Sequence, residues 1–241
     1  GACSGGTTMA LMLSELAARG DDRVNAFTLM VSVLDGKKSD SEIGLFVTDS
    51  AIEAARKHSK KKGILAGDEL ARSFAWMRPN DLIWNYVVNN YLMGREPMAF
   101  GLLYAKPDSP SMPAMMHKAC WRNMGLENKL VEPGGIELCG VPIDLTTIDL
   151  PAYIISTRED HIAPWKSTYA ATRLYKGPTR FVLAGSGHIA GIVNPPENNK
   201  YGYWTNNRKA KSPDTWLKNA TQHEGSWWTD WNEWSSKFRN G

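Results

Sequence analysis

The spacing of apolar residues changes once within residues 1–35. Residues 7–18 carry apolar side chains at helical intervals, which predicts a helix, and Gly20 follows as its left-handed C-cap. Residues 25–34 form a nearly continuous apolar run with β-branched members, a pattern typical of a strand buried on both faces. This part of the chain is therefore predicted to fold as a turn, a helix and a strand.

Two later runs, residues 152–156 and 179–183, have the same strand-like composition, and residues 165–175 between them have helical spacing. A strand, a helix and a strand at these distances predict a right-handed βαβ unit within a parallel sheet. The sequence therefore indicates an α/β fold.

Residues 36–130 follow a different pattern, because no strong strand is predicted there. Several stretches instead have helical spacing, namely residues 49–61, 68–76, 82–91 and 113–121. We interpret this region as a helical insertion that caps the sheet. Three segments are therefore expected: residues 1–35 begin the α/β core, 36–130 form the cap, and 131–241 complete the core.

Tryptophans recur on one side of a predicted helix in the Trp-rich tail of the chain. Trp227, Trp231 and Trp234 are spaced i, i+4 and i+7, which places them on one helix face. Docking of this face onto the core is expected, since tryptophan buries a large apolar area.

The bulk composition excludes several classes of function. The chain has 241 residues, of which 42% are hydrophobic, and a formal charge of +3, so a nucleic-acid partner is not expected. The densest basic run, residues 56–62, is interpreted as the cationic last turn of a helix, with contact to a polyanion as the alternative. No run approaches the roughly 20 apolar residues of a transmembrane segment, and no signal peptide is visible.

The cysteines and histidines indicate neither disulfides nor metal. The three cysteines are widely spaced and odd in number, which argues for a reducing compartment, and Cys120 and Cys139 are expected to pack as small buried groups. No pair of Cys or His residues has ligand-like spacing, and no glycine-rich phosphate loop is present. We therefore predict no metal and no cofactor.

Cys3 lies in the strongest chemical motif of the chain, the stretch GACSGG at residues 1–6. The pattern Gly-x-nucleophile-x-Gly predicts a strand-to-helix turn that exposes a nucleophile, and Gly5 and Gly6 would let the backbone pass itself closely. The N-terminus of the following helix favours the reactive thiolate, and the Ser4 backbone N–H is a candidate oxyanion donor. An inert cysteine in a glycine-rich turn is the alternative that this motif alone leaves open.

Candidate partners of Cys3 follow the two strands of the predicted βαβ unit. Glu159 and Asp160 come after the first strand and His188 after the second, which gives the order nucleophile, acid and base. Functional groups of open α/β sheets lie at the carboxyl ends of the strands, so these residues are expected to meet. His161 competes as the base, but it lies beside the acid in sequence and could not easily bridge the acid and the thiol. We therefore expect His161 to contact the catalytic residues without taking part in the reaction. The two carboxylates stay alternatives for the acid.

Longer stretches make the chain recognisable. It resembles the poly(3-hydroxyalkanoate) synthases over essentially its whole length and looks most like their class II, medium-chain-length branch. The stretches that carry the resemblance are GACSGG (1–6), FAWMRPNDLIWNYVVNNY (74–91), VEPGGIELCGVPID (131–144), DHIAPW (160–165), SGHI (186–189) with NPP (194–196), and GSWW (225–228). The resemblance implies an α/β-hydrolase fold with a helical cap insertion.

The resemblance also implies an activity and its residues. It places a triad on Cys3, Asp160 and His188, and so favours Asp160 over Glu159. The implied enzyme is an acyltransferase that polymerises (R)-3-hydroxyacyl-CoA into a polyester through an acyl-cysteine and releases CoA. In the family the His activates the Cys, and the Asp helps to activate the 3-hydroxyl group of the substrate. The implied setting is cytoplasmic, at the granule surface, with a homodimer formed through the cap.

Some features depart from the family pattern. Members read LLYWN-x-D where residues 102–108 read LLYAKPD, so contacts of the cap around Ala105 and Lys106 are expected to differ. The resemblance starts at the elbow, so the N-terminal half of the sheet and the second oxyanion donor are expected to be missing from this chain, which alone should be inactive. A processed or engineered start is the alternative.

A Cys-nucleophile thioesterase or polyester hydrolase of the same fold is the alternative function, and a non-catalytic binding module is a further one.

Overall fold

Residues 1–38 and 111–239 are described by a computed structural model, together with 48–50, 53–54, 57, 63–67 and 83–96. The chain divides into two units, one made of Gly1–Gly44 and Asn123–Gly241 and the other of Leu45–Arg122. All candidate site residues belong to the first unit. Among the described residues, no helix combines the length and apolar character needed to cross a membrane.

The α-helices and strands with bounds within the described residues are as follows. The α-helices are α1 (Ser4–Arg19), α2 (Ala114–Ala119), α3 (Trp165–Tyr169), α4 (Pro213–Lys218) and α5 (Trp228–Ser236). The strands are β1 (Phe27–Met30), β2 (Ile64–Leu65), β3 (Met112–Pro113), β4 (Glu137–Leu138), β5 (Val141–Pro142), β6 (Ala152–Thr157), β7 (Thr179–Ala184), β8 (Tyr203–Thr205) and β9 (Thr221–His223).

The first unit is built on a five-stranded sheet in the order β1-β6-β7-β8-β9. Strands β1, β6 and β7 are parallel, and β8 and β9 continue the sheet in antiparallel pairs. The predicted strand-helix-strand unit is confirmed as β6, α3 and β7. Ala2 forms a parallel bridge with Met30 at the end of β1, so the elbow joins the sheet beside this strand.

Side chains of the buried strands point alternately to the two faces of the sheet, so both faces carry apolar groups. Each face is covered by a separate core cluster. One core cluster joins Leu13 of α1 and Trp216 of α4 to Ile154 of β6. The other cluster joins Tyr153 and Ile155 of the same strand to a group of tryptophans at α5. Tyr153, Ile154 and Ile155 are almost completely inaccessible to solvent. These three residues explain why β6 is apolar without alternation in the sequence.

The tail helix docks on the sheet as predicted. Trp227 is buried, and Trp231 and Trp234 pack against the same cluster. Burial of such side chains stabilises the fold by roughly 2–3 kcal/mol each. Trp228 also packs there, which the i, i+4, i+7 pattern did not include.

Strand β1 is shorter than the predicted strand at residues 25–34. It ends at Met30 because Val31 adopts a left-handed conformation with φ of 46°, which is rare for a β-branched residue and breaks the strand. The helix predicted at residues 7–18 is confirmed as the longer α1, and Gly20 caps it with φ of 68°.

The second unit is described only in parts. Strands β2 and β3 pair antiparallel, and α2 follows β3 directly. A π-helix at Val87–Leu92 overlaps the helix predicted at residues 82–91 and ends one residue beyond it. The helix predicted at residues 68–76 and the LLYAKPD stretch lie outside the described residues. The role of residues 36–130 as a cap stays a prediction.

Candidate active site

Cys3 lies at the N-cap of α1 in a strained backbone conformation, with φ of 51° and ψ of −123°. A non-glycine residue in such a region costs about 1–3 kcal/mol, and this strain is found mostly at functional sites. Two hydrogen bonds to β1 hold the turn: the Cys3 N–H donates to Met30 O at 2.9 Å, and the Met30 N–H donates to Gly1 O at 2.9 Å. The motif therefore folds as a strand-to-helix turn with the thiol at its apex.

This turn requires only one of the two glycines that were predicted to be needed. A Cβ on Gly1 would lie 2.6 Å from the carbonyl oxygen of Gly5, and a Cβ on Gly6 would lie 2.0 Å from the hydroxyl oxygen of Ser32. A Cβ on Gly5 would meet no atom within 4 Å. Gly1 and Gly6 are thus required for close packing, and the assignment of that role to Gly5 was wrong.

Asp160 is fixed by donors from its own loop. Its Oδ1 accepts hydrogen bonds from the backbone N–H groups of Ile162 at 2.9 Å and Ala163 at 2.8 Å. Its Oδ2 accepts from the Thr157 hydroxyl at 3.3 Å and lies 2.6 Å from Nδ1 of His188. The carboxylate is fully buried, so its orientation is set by these four contacts.

His188 connects the acid to the thiol. Its Nδ1 is occupied by Asp160, which leaves Nε2 for the contact with Cys3. Burial lowers the pKa of His188, but the hydrogen bonds with Asp160 and Cys3 outweigh burial and raise it to about 9. At neutral pH the ring is therefore an imidazolium between a carboxylate and a sulfur.

The remaining predicted residues lie around this group in different ways. Glu159 is exposed while Asp160 is buried, so the structure brings the latter and not the former to His188. His161 is partly buried and follows the acid directly, but the ring that contacts the acid is that of His188. Ser4 is the first residue of α1, and among the described residues no backbone carbonyl accepts its N–H.

Sequence reasoning did not single out several residues that contact the site. Thr157 ends β6 and donates to Asp160, a contact that its place three residues before the acid could have suggested. Trp227 and Trp228 donate to the backbone after His188; the helical spacing had singled out Trp227 only for docking, and Trp228 was signalled only by the GSWW stretch. Ser32, whose packing requires Gly6, gave no sequence signal.

The other two cysteines do not take part in this cluster. Cys139 is exposed in the turn between β4 and β5, so the prediction that it would be buried was wrong. Cys120 is partly buried, and desolvation raises the pKa of its thiol. Among the described residues, no three Cys, His, Asp or Glu side chains are grouped to hold a metal ion.

Comparisons with known proteins place the chain in a family. A family model described as alpha/beta hydrolase fold matches residues 1–195. Over 97% of its length the chain is 46% identical to poly(3-hydroxyalkanoate) polymerase 1 and 47% identical to polymerase 2, both of Ectopseudomonas oleovorans. Over the same share it is 44% identical to the poly(3-hydroxyalkanoate) polymerase subunit PhaC of Cupriavidus necator.

The chain spans only part of these relatives. It covers 42% of the length of the two Ectopseudomonas polymerases and 40% of the Cupriavidus subunit. Among solved structures, the enol-lactonase from Burkholderia xenovorans overlaps 77% of this chain with a TM-score of 0.35 at 14% identity, and the overlap takes in 57% of the lactonase.

Proposed function

This chain belongs to the α/β hydrolase family, and from that premise we propose that it carries the acyl-transfer centre of a poly(3-hydroxyalkanoate) polymerase. The proposed reaction converts (R)-3-hydroxyacyl-CoA into polyester with release of CoA. The names of relatives at 44–47% identity support a polyester product, and the substrate is the one that the family resemblance implies.

One observation carries the proposal: the 2.6 Å contact between Asp160 Oδ2 and His188 Nδ1, with the other side of the ring directed to Cys3. A nucleophile, a base and an orienting group in contact are the requirements of covalent acyl transfer. The strained turn places Cys3, which is half-buried, at the N-terminus of α1, as expected for a nucleophile elbow.

In the first proposed step, Cys3 acts as a thiolate beside the His188 imidazolium, and its Sγ adds to the thioester carbonyl carbon of the substrate. The bond from that carbon to the CoA sulfur breaks, and CoA leaves with the proton that the His188 imidazolium supplies. The products are an acyl-Cys3 thioester, neutral His188 and free CoA. The Ser4 backbone N–H is proposed as one donor to the transient oxyanion.

In the second step, the 3-hydroxyl oxygen of another unit attacks the acyl-Cys3 carbonyl. The carbon–sulfur bond breaks, the thiolate of Cys3 is restored, and the hydroxyl proton passes to Nε2 of His188. The contacts of Asp160 support an orienting role, because its two oxygens accept from Ile162, Ala163, Thr157 and His188. We therefore assign activation of the substrate hydroxyl to His188, and not to the aspartate as the family resemblance implies.

The setting of the enzyme is part of the same proposal. Exclusion of water from an acyl-Cys3 would favour the hydroxyl of the growing chain over hydrolysis, and residues 36–130 are proposed to provide the cover. A cytoplasmic place at the granule surface and a homodimer through that region complete the proposal.

The test uses the full-length protein with (R)-3-hydroxyacyl-CoA, and measures released CoA and polymer in the same reaction. The proposal expects both products in wild-type protein and in Cys139→Ala, a control that removes an exposed thiol outside the site. Cys3→Ala should form neither product.

Other outcomes decide against parts of the proposal. CoA released together with free 3-hydroxy acid and no polymer would identify a thioesterase of the same fold. Full activity in a Cys3→Ser variant would remove Cys3 from the role of nucleophile.

A further inference from the structure

The loop that carries His188, residues 187–194, receives three hydrogen bonds from one short segment, residues 226–228. The Trp227 indole N–H donates to Gly191 O at 3.0 Å, and the Trp228 indole N–H donates to Ile192 O at 2.9 Å. The Ser226 hydroxyl donates to Asn194 O, and both residues are buried. These donors come from the GSWW stretch, which has no part in the chemistry proposed above.

Backbone hydrogen bonds inside the loop join only residues 187–193, and the external donors add to this support. The Gly191 N–H donates to Gly187 O at 2.9 Å, and the Val193 N–H donates to Ile189 O at 2.8 Å. A Cβ on Gly191 would lie 2.4 Å from the methyl carbon of Thr157. The loop is therefore pressed against the end of the strand that carries Asp160, and a shift of Gly191 would carry His188 away from the acid.

The donor segment is itself anchored to the sheet. Trp227 stacks on Tyr153 with ring centroids 6.1 Å apart. The Tyr153 hydroxyl donates to Asp230 Oδ2 at 2.9 Å, and Arg180 Nε donates to the same oxygen at 2.8 Å. Because Tyr153 and Arg180 belong to the central strands β6 and β7, the indole groups have a rigid base.

We propose that Ser226, Trp227 and Trp228 form a clamp that holds the 187–194 loop in the position where His188 contacts both Asp160 and Cys3. They are positioning residues, since they touch neither substrate nor the reacting atoms. The kinetic test of the clamp rests on the proposed function, whereas the titration of His188 rests on the geometry alone.

The test replaces single indole groups in the full-length protein. Trp228→Phe removes the donor to Ile192 from a partly buried site, and Trp227→Phe removes the donor to Gly191. Trp231→Phe is the matched control, because this residue of the same helix donates its indole N–H to the Thr28 hydroxyl at 2.9 Å, away from the loop. We expect kcat to fall about 10-fold to 100-fold in the first two variants with KM nearly unchanged, and to stay at the wild-type value in the control.

A second readout does not depend on turnover. Titration of the His188 ring by NMR should give a pKa closer to the ordinary ~6.5 in Trp228→Phe, because the contact with Asp160 is loosened. The control should titrate as wild type. If wild-type protein makes no polymer while the titration shifts as expected, the proposed function fails and the clamp stands.

Two results overturn the clamp. One is a folded Trp228→Phe protein with wild-type kcat and an unchanged His188 titration. The other is a Trp231→Phe protein impaired to the same extent, which would show a general loss of stability. Should Trp227→Phe fail to fold, Trp228→Phe decides between these outcomes.

Discussion

Asp160 and His188 contact each other, yet the loops that carry them are held in different ways. Apart from its contact with His188, Asp160 takes its hydrogen bonds from residues no more than three positions away in sequence, two of them from backbone N–H groups. The loop after His188 is held by side chains more than 30 positions away, through the indole groups of Trp227 and Trp228. The acid is thus oriented locally and the base remotely.

This difference indicates which part of the site should tolerate side-chain substitutions. Backbone donors cannot be removed by a side-chain substitution, so the Asp160 loop should tolerate changes around it. Indole and hydroxyl donors disappear with one substitution, so the position of His188 should depend on a distant part of the chain. The four predictions below test this contrast, from the largest expected effect to the smallest.

Asp160→Asn should lower kcat by about 10³-fold to 10⁴-fold, because an amide in this place presents a donor to Nδ1 and favours the wrong tautomer of His188. Steady-state kinetics of the full-length protein measure the loss. The control is Glu159→Gln, which changes the exposed neighbouring carboxylate and should stay within about 3-fold of wild type. An equal loss in both variants would contradict the assignment of the acid.

The link between the two loops should make stability depend on pH. The pKa of His188 is raised to about 9 in the folded protein, above its ordinary value of about 6.5, so the protonated ring stabilises the fold. This contribution of up to about 3 kcal/mol is complete below pH 6.5 and is lost as pH rises through 9. Urea unfolding at a series of pH values measures it, and His188→Gln should flatten the curve over that window. Parallel curves for the two proteins would argue against the ion pair.

Ser226→Ala should lower the free energy of unfolding by about 1–3 kcal/mol, because the buried carbonyl of Asn194 loses its donor. Amide hydrogen exchange should become faster in residues 187–194 and stay unchanged around Asp160. Ser235→Ala is the control, since that hydroxyl makes only an exposed hydrogen bond within α5, and its effect should stay below about 0.5 kcal/mol. If Ser226→Ala accelerated amide exchange equally in both loops, the proposed contrast between them would be wrong.

Thr157→Val should have the smallest effect, at most about 1 kcal/mol of stability and less than a 3-fold loss of kcat. The valine keeps the shape of the buried side chain, and Asp160 retains its two backbone donors and His188. Thr172→Val removes another buried hydroxyl, which bonds to Tyr169 O, and serves as the control. A loss of kcat beyond that of Ser226→Ala would mean that one hydroxyl, and not the backbone, orients the acid.

The parts of this molecule that depend on neighbouring residues were predictable from sequence. The turn at Cys3, helix α1 with its Gly20 cap, and the β6-α3-β7 unit follow from motif and spacing, and the structure has them. The choice between Glu159 and Asp160 was not predictable from the residues alone, because adjacent side chains after a strand point in different directions and only the fold decides which is buried.

The parts that depend on distant contacts escaped prediction. The end of β1 at Val31 follows from a backbone conformation that a β-branched residue rarely adopts, so its sequence favours a longer strand. The motif predicted a close approach at Gly6, but it did not predict that the partner is Ser32, 26 positions away. The spacing of the tryptophans predicted docking, but an indole N–H gives no sign of which carbonyl it will meet.

The antiparallel direction of β8 also indicates where the protein can be modified. Tyr203 at the start of this strand pairs with Ala184 near the site, and Thr205 pairs with Val182 farther from it, so the following residues 206–211 lie at the opposite end of the sheet. Arg208 and Lys209 are exposed there. A fluorescent reporter or an affinity handle inserted between them should leave polymer formation intact, whereas one placed against α5 would disturb the tryptophans that support His188.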